Sequence, residues 1–260
     1  MEVVVERHGP VARVTLNRPE RLNALSDSLM EDLRRTWAVL AADAALRCVI
    51  VTGAGRGFCS GADAALLSSD RSAAPEDVHD ELSFLPGDRL EVPVIVAVNG
   101  ICAGGGLHFV ADADIVVAGA AASFCDPHVT VGQVSALEPA TLALRMRPDI
   151  LRRLVLLGTS ERLDADAALA AGLVSEVVAD DALQARADEL AATVCSGSPA
   201  ALTISRRLLR TFERRLVDAS LQEGWDAIRA HWSHPDAAEG PAAFQQRRPP
   251  RWTPPDNGGQ

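Results

Sequence analysis

The chain opens with two stretches in which apolar and polar residues alternate. These are residues 3–6 and 11–16, with His8, Gly9 and Pro10 between them. Alternation with a period of two is typical of strands that bury one face, and glycine beside proline marks a turn. The pattern predicts a β-hairpin at the N-terminus.

A helical pattern follows the hairpin. Apolar residues recur at intervals of three and four at Leu29, Leu33, Trp37 and Leu40. Ser26 or Asp27 can cap the first turn, so we expect a helix that ends near residue 42. Three short, almost wholly apolar runs come later, at 48–51, 94–98 and 114–118, and such runs are typical of strands buried on both faces.

Glycine-rich and polar segments separate the apolar runs. We expect a loop over 53–61, a mobile surface loop over 68–77, a helix from there to about 90, and another helix opened by the glycines at 104–106. Strands that alternate with helices predict an α/β core.

The chain beyond residue 139 reads as helical, apart from a strand at 174–178. The predicted helices cover 165–171, with Asp164 as cap and Gly172 as stop, and then 180–195, 199–218 and 219–232. A proline- and glycine-rich stretch over 247–260 predicts a loose tail. The pattern divides the chain into a core over 1–195 and a helical region with a tail over 196–260.

Composition excludes some catalytic groups and some classes of partner. The net charge is −10, and the chain has neither lysine nor tyrosine, which excludes a Schiff-base lysine and a phenolic acid. No basic stretch suggests nucleic acid, and no apolar run is long enough for a membrane span. The N-terminus lacks the layout of a signal peptide, so we expect a cytoplasmic protein.

Two glycine-rich loops, 53–61 and 100–106, each follow a predicted buried strand and precede a predicted helix. Glycine lets another backbone or a ligand approach closely, and the first N–H groups of a helix have no partner within it. Two such loops that face each other could direct two N–H donors at one carbonyl oxygen, which is an oxyanion hole. Tight turns or close helix packing would explain either loop alone.

A series of motifs runs in order along the chain. They are RP at 18–19, NAL at 23–25, GFCSGAD at 57–63, PVIVAVNGICAGGG at 93–106, ADAD at 111–114 and EGPAAF at 239–244. With these motifs the chain, from about residue 3 to 250, resembles the crotonase superfamily of enoyl-CoA hydratases and isomerases.

The resemblance implies a crotonase (ClpP/crotonase-like) fold of repeated ββα turns with a C-terminal helical trimerisation region, in a homotrimer or a hexamer made as a dimer of trimers. It implies an acyl-CoA thioester as substrate, no separate cofactor, and a thioester oxygen held by the N–H groups of Ala62 and Gly105. The CoA and substrate contacts that it implies are Arg21, Leu22, Ala24, Ser60, Gly61, Ala62, Asp63 and Gly104, with Phe244 and Arg247 or Arg248 from a neighbouring subunit. Arg18 is a further candidate cation for the CoA phosphates.

The sequence departs from the resemblance at two positions. Hydratases that resemble this chain have two glutamates, one placed two residues after the glycine triplet and the other after a proline about twenty residues later. Here those positions hold His108 and His128. Two imidazoles in different surroundings suit acid–base work, with Asp126 or Glu138 as the orienting carboxylate. We expect His108, early in a helix, to be mostly neutral, and His128, beside Asp126, to favour its charged form.

Other interpretations of the histidines stay open. They could only fill space in a non-catalytic acyl-CoA binding protein. They could hold a metal, although no clear third ligand stands beyond Asp126. A histidine after proline with a carboxylate ten residues on, as in His128 and Glu138, is also similar to the β-diketone hydrolases of the superfamily, which cleave a C–C bond in a retro-Claisen step without CoA.

Overall fold

Short strands and helices alternate through the first two thirds of the chain in a computed structural model that describes residues 1–67 and 74–254. The strands are β1 (Val3–His8), β2 (Val11–Leu16), β3 (Cys48–Gly53), β4 (Gly57–Cys59), β5 (Val94–Val98), β6 (Ile101–Ala103), β7 (Ile115–Gly119), β8 (Ser123–Cys125), β9 (Leu163–Asp164) and β10 (Glu176–Val178). The α-helices are α1 (Asp27–Ala41), α2 (Ala64–Leu67), α3 (Val78–Glu81), α4 (Leu107–Asp112), α5 (Leu137–Leu142), α6 (Pro148–Leu157), α7 (Ala165–Ala171), α8 (Leu183–Ser196), α9 (Pro199–His231) and α10 (Pro235–Gln245).

The strands form two sheets within the described residues. The larger sheet has the order β1-β2-β3-β5-β7-β10, and the smaller has the order β4-β6-β8-β9. β1 and β2 form the predicted antiparallel hairpin, and the remaining neighbours in the larger sheet are parallel. The pairs β3–β4, β5–β6 and β7–β8 each give one strand to each sheet before the chain passes into α2, α4 or α5. The chain therefore repeats a ββα turn.

The apolar runs of the central strands are buried on both faces. Val49 and Val51 of β3 pack into the main core with Trp37 of α1. Cys48 and Ile50 face the opposite way and pack against α8. Because each face has an apolar partner, these strands carry no polar alternation.

Several elements differ from the sequence prediction, among them the short strands β8 and β9, which the sequence did not predict. The predicted loop over 53–61 contains β4, and β6 precedes the glycine triplet, because three-residue strands are too short to show a period. The predicted helix to residue 90 is instead α3 and a single 3-10 turn, Leu82–Phe84, before Pro86 and Gly87. The helix α10 was not predicted, since it contains Gly240 and Pro241.

The two predicted helices over 199–232 are one helix, α9, of 33 residues. No proline interrupts it, and the buried Val217, Leu221 and Trp225 continue one stripe at intervals of four. The predicted mobile loop lies mostly outside the described residues, as do the last six residues of the predicted tail.

The C-terminal helices lie on the core beside the glycine loops. α9 packs against α5 and α3, and α10 packs against the 3-10 turn His128–Val131. Among the described residues, no helix combines the length and the apolar character that crossing a lipid bilayer requires.

Candidate active site

The parallel strands of the smaller sheet bring three loops to one edge. β4, β6 and β8 lie side by side, with Cys59 opposite Cys102 and Ala103 opposite Cys125. The segments that leave their carboxyl ends therefore emerge together. They are 60–63, 104–108 and 126–128, which contain most of the residues that the sequence proposed for the site.

Glycines allow the first two loops to approach closely. A Cβ on Gly106 would come within 2.5 Å of the Cys59 carbonyl oxygen, and one on Gly61 would come within 2.9 Å of the Ala103 oxygen. Gly61 and Gly104 also have positive φ angles, of 92° and 48°, which side chains disfavour. The glycines are thus required by backbone contact between the two loops.

The amides of Ala62 and Gly105 lie beside each other where these loops meet. Leu25 N–H donates to Gly61 O at 2.7 Å and Asp63 N–H donates to Leu25 O at 2.7 Å, so the N–H of Ala62 points away from the Leu25 backbone. Gly105 is the second residue of a 3-10 turn, where the N–H has no partner within the helix. A Cβ on Gly105 would lie 3.9 Å from Ala62 N.

Two histidine–carboxylate pairs stand next to the amides. Nδ1 of His128 lies 2.6 Å from Oδ1 of Asp126, and Nε2 of His108 lies 3.1 Å from Oε1 of Glu138. The same Glu138 oxygen is 3.7 Å from Nε2 of His128, which joins the two pairs. Ser135 donates its hydroxyl to the other oxygen of Asp126. Glu138 thus contacts both histidines, and it lies closer to His108 than to His128.

The charges of neighbouring groups in the site stabilise one another and shift the pKa values of His128 and Glu138. Burial opposes the charged form of His128, but the charge of Glu138 and the hydrogen bond and charge of Asp126 raise its pKa to about 9. Burial likewise opposes charge on Glu138, yet the charges of His108 and His128 and the hydrogen bond from His108 hold its pKa well below the usual range. Near neutral pH, therefore, an imidazolium stands between two carboxylates, as the sequence predicted for His128.

A cavity of about 740 Å³ opens onto these groups. Its lining contains Ala62, Gly105, His108, His128 and Glu138. Apolar side chains make up much of the rest and include Met30, Leu66, Leu82, Phe84, Leu137, Trp225 and Trp232. The cavity therefore combines a polar reacting centre with a largely apolar lining.

The structure brings most of the proposed CoA-contacting residues together. Ser60 N–H donates to Leu22 O at 3.0 Å, and the Ser60 hydroxyl donates to Arg21 O. These contacts place the segment with Leu22 and Ala24 along the loop with Ser60, Gly61 and Asp63. Arg21 is exposed there. Phe244 and Arg247 lie instead at the end of α10, where Phe244 is 71% exposed.

Two residues at this loop have roles that the sequence did not reveal. Arg18, proposed as a phosphate-binding cation, instead forms ion pairs with Asp63 at 2.9 Å and with Glu2 at 3.0 Å, so its charge is already neutralised. Asn23 is fully buried; its amide donates to the carbonyls of Ala54 and Gly57. Their partners stand tens of residues away in sequence, so only the fold could identify these roles.

The family model for enoyl-CoA hydratase/isomerase matches residues 6–255. The chain belongs to this family. It is thus an enzyme of the hydratase/isomerase family, and its ββα architecture is the crotonase fold, as the sequence motifs predicted.

Relatives of the chain in this family carry several names. The chain is 32% identical to a carnitinyl-CoA dehydratase of Citrobacter koseri, over 95% of this chain and 96% of the relative. It is 31% identical to an (E)-benzylidenesuccinyl-CoA hydratase of Thauera aromatica, over 96% and 98%. It is also 31% identical to a 1,2-epoxyphenylacetyl-CoA isomerase of Escherichia coli, over 94% and 95%.

Solved structures of the family share the whole fold. An enoyl-CoA hydratase/isomerase from Pseudoalteromonas atlantica superposes with a TM-score of 0.86 at 30% identity, covering 97% of this chain and 100% of that one. A carnitinyl-CoA hydratase from Mycobacterium avium gives a TM-score of 0.86 at 29% identity, covering 97% and 98%. Relatives named hydratase, dehydratase and isomerase thus resemble this chain to a similar degree.

Proposed function

We propose that this enzyme acts on an acyl-CoA thioester and stabilises the enolate that forms from it with the N–H groups of Ala62 and Gly105. Support comes from the relatives, whose names are those of CoA-thioester enzymes, and from the two neighbouring amides on the cavity wall. Negative charge develops on the thioester oxygen in the transition state, so two fixed donors lower the barrier more than they strengthen ground-state binding.

The single observation that carries the reaction type is the pair of histidine–carboxylate contacts on the same cavity. If Nε2 of His108 donates to Glu138, its Nδ1 remains a proton acceptor, and the carboxylate stabilises the imidazolium that forms. His128, charged beside Asp126, is the proton donor. The pair therefore has one base and one acid, which is what hydration or isomerisation of an enoyl thioester needs.

For hydration, His108 removes a proton from water as the water oxygen bonds to Cβ of the substrate. The electrons of the Cα–Cβ double bond move onto the thioester oxygen, held by Ala62 and Gly105. The His128 imidazolium then donates its proton to Cα, which restores the thioester. In an isomerisation the same groups move a proton between Cγ and Cα, and the intermediate is a dienolate whose negative charge lies on the same thioester oxygen.

Binding of CoA follows from the loop that carries Arg21. Arg21 is exposed beside Ser60, and its guanidinium suits a phosphate of CoA because it can donate two parallel hydrogen bonds. We assign Phe244 and Arg247 to the CoA site of a neighbouring subunit, in a homotrimer or a dimer of trimers built through 196–260.

The test is product analysis by mass spectrometry with crotonyl-CoA. Hydratase activity adds one water to the acyl chain, and isomerase activity on a 3-enoyl-CoA leaves the mass unchanged. A split acyl chain, with a β-diketone or with a 3-oxoacyl thioester, would instead identify the retro-Claisen reaction that the His128–Glu138 contact also permits. Tight acyl-CoA binding with no turnover of any of these substrates would leave only a binding role.

Variants of the two histidines locate the chemistry. His108→Gln and His128→Gln keep a hydrogen-bonding group in the same volume but cannot carry the proton, so each should lower kcat by roughly 100- to 10,000-fold. His231→Gln is the matched control, because His231 contacts the Gly132 carbonyl rather than the carboxylates. If His108→Gln and His128→Gln kept wild-type kcat, the acid–base roles would be wrong.

A further inference from the structure

A second cavity, of about 350 Å³, adjoins the first. His108 and Leu82 line both cavities, so these two side chains lie where the cavities meet. The second cavity is lined by residues of α4, α5, α9 and the segment around α3. Its lining holds four arginines and five carboxylates, which the reaction above does not use.

Three of the four arginines in this cavity are accounted for. Arg210 pairs with Asp112 at 2.6 Å and with Asp88 at 3.4 Å. Arg214 pairs with Asp88, and Arg89 is exposed to solvent. These charges are balanced by carboxylates or by water.

Arg145 is different. It is partly buried, and its Nε donates to the Ala111 carbonyl at 3.1 Å, which orients the guanidinium. Within the part of the chain that the structure describes, this guanidinium forms no ion pair. Glu213 also lines the cavity but, among the described residues, makes no ion pair with it. Burial lowers the pKa of Arg145 because the more distant Glu213, Asp114 and Asp112 do not fully compensate for it.

A partly buried cation without a close partner favours an anion that can enter its cavity. The terminal nitrogens of a guanidinium match the two oxygens of a carboxylate, and such bidentate contacts are among the stronger hydrogen bonds in proteins. A chamber next to His108 is also where the acyl chain would continue beyond the reacting carbons. A carboxylate at the end of that chain would meet Arg145.

We propose that this chamber binds the distal end of the acyl group and that Arg145 pairs with a carboxylate there, so that the preferred substrates are CoA thioesters of dicarboxylic acids. The inference rests on the proposed acyl-CoA function. Arg145 is a specificity residue in this assignment. Glu213 lines the same chamber without pairing with Arg145, so its negative charge repels an incoming carboxylate.

The experiment is calorimetric titration with saturated thioesters, which bind without reacting. Matched pairs of equal chain length are glutaryl- and pentanoyl-CoA, adipoyl- and hexanoyl-CoA, and suberoyl- and octanoyl-CoA. The wild type should bind the dicarboxylic member of at least one pair about tenfold more tightly. Arg145→Met should weaken that thioester roughly 10- to 100-fold and leave its uncharged partner within about threefold.

Glu213→Gln is a control whose expected effect on affinity is opposite to that of Arg145→Met. It removes a nearby negative charge that repels the substrate carboxylate, so it should tighten binding of the dicarboxylic thioester, a gain that misfolding could not produce. Arg145→Lys, which keeps the cation but not the fork of donors, should fall between the wild type and Arg145→Met.

Either of two results would overturn the inference. One is a wild type without preference in any pair, and the other is an Arg145→Met variant that weakens both members of a pair equally. If uncharged thioesters bound and turned over but no pair showed a dicarboxylic preference, only the proposed role of the chamber would be wrong, and the acyl-CoA function would stand. Failure of every thioester to bind would remove the proposed acyl-CoA function together with it.

Discussion

At the residue scale, the site depends on a row of four side chains in which carboxylates and imidazoles alternate. Asp126, His128, Glu138 and His108 follow one another at distances of 2.6, 3.7 and 3.1 Å. A buried carboxylate is costly unless a partner compensates for its charge, and here each carboxylate has an imidazole. The arrangement keeps a proton on His128, the proposed acid, at neutral pH.

His128 should keep its proton to a higher pH than an ordinary histidine. Its pKa of about 9 should be visible as a late transition of its ring carbon-bound protons in NMR spectra. Asp126→Asn removes both the hydrogen bond and one negative charge, so the pKa of His128 should fall toward the ordinary 6.5. Asp218→Asn is the control, since Asp218 lies near His79 instead. A wild-type His128 that titrates at its ordinary value would contradict the assignment.

The same pKa fixes the sign of a stability effect. The folded-state pKa lies above the unfolded value, so the stabilisation from His128 is complete below about pH 6.5 and is lost as the pH rises through about 9. The free energy of unfolding in urea should therefore fall more for the wild type than for His128→Gln as the pH is raised from about 6.5 to above 9. An equal pH dependence in both proteins would contradict the charged pair.

The residues of the site differ in how far sequence could identify them. His108 and His128 were predictable because each stands at a fixed distance from a glycine triplet or a proline. The sequence also offered Glu138 as an orienting carboxylate, but it did not indicate that this carboxylate lies closest to His108, thirty positions away. Nor did it indicate that Arg145 reaches α4 from the end of α5. Contacts across such separations follow from the packing of helices, which a single sequence does not encode locally.

At the element scale, the oxyanion site depends on how closely the segments after β4 and β6 approach. Sequence predicted the glycine loops but missed the strands within them, since three residues carry no periodicity. Pairing of these strands sets the register of the two loops, and the glycines permit the contact. The two amides are therefore positioned by backbone packing rather than by side chains.

Gly106→Ala tests this packing. The new Cβ would meet the Cys59 carbonyl oxygen at 2.5 Å, so the loops must separate, at a cost of roughly 1–3 kcal/mol in the free energy of unfolding and with a loss of kcat. Gly197→Ala is the matched control, because its Cβ would first meet only a Leu202 methyl group, at 3.1 Å. Denaturant titration and turnover of both variants give the comparison. Unchanged stability and kcat in Gly106→Ala would mean that close approach is not required.

At the scale of the whole molecule, α9 has two faces with different uses. One packs on the core through Val217, Leu221 and Trp225. The other exposes Ile204, Leu208, Leu209, Phe212 and Leu216, each by 48% to 64%. Contiguous apolar surface of this kind is typical of a protein–protein interface. The sequence analysis predicts two helices here, over 199–218 and 219–232. The buried stripe instead continues without a break, so the structure has one helix.

We expect α9 to join copies of this chain. Leu208→Asp combined with Phe212→Asp would place two charges in an apolar interface, so the trimer or hexamer should dissociate to folded monomers. Sedimentation velocity measures the mass, and circular dichroism checks the fold. Val39→Asp, at a position 72% exposed on α1, is the control and should leave the assembly intact. A wild type that sediments as a monomer would contradict the prediction.

The most direct test of the central claim is the infrared carbonyl stretch of a bound thioester carrying a ¹³C label at that carbonyl. Two N–H donors at the oxygen should shift the band to lower frequency in the wild type, in His108→Gln and in Ala62→Gly. Ala62→Pro removes one donor and should lose much of the shift, together with roughly 100- to 1,000-fold in kcat. A bound carbonyl that absorbs at the frequency of the free thioester, or a shift that Ala62→Pro leaves unchanged, would contradict an oxyanion hole at Ala62 and Gly105.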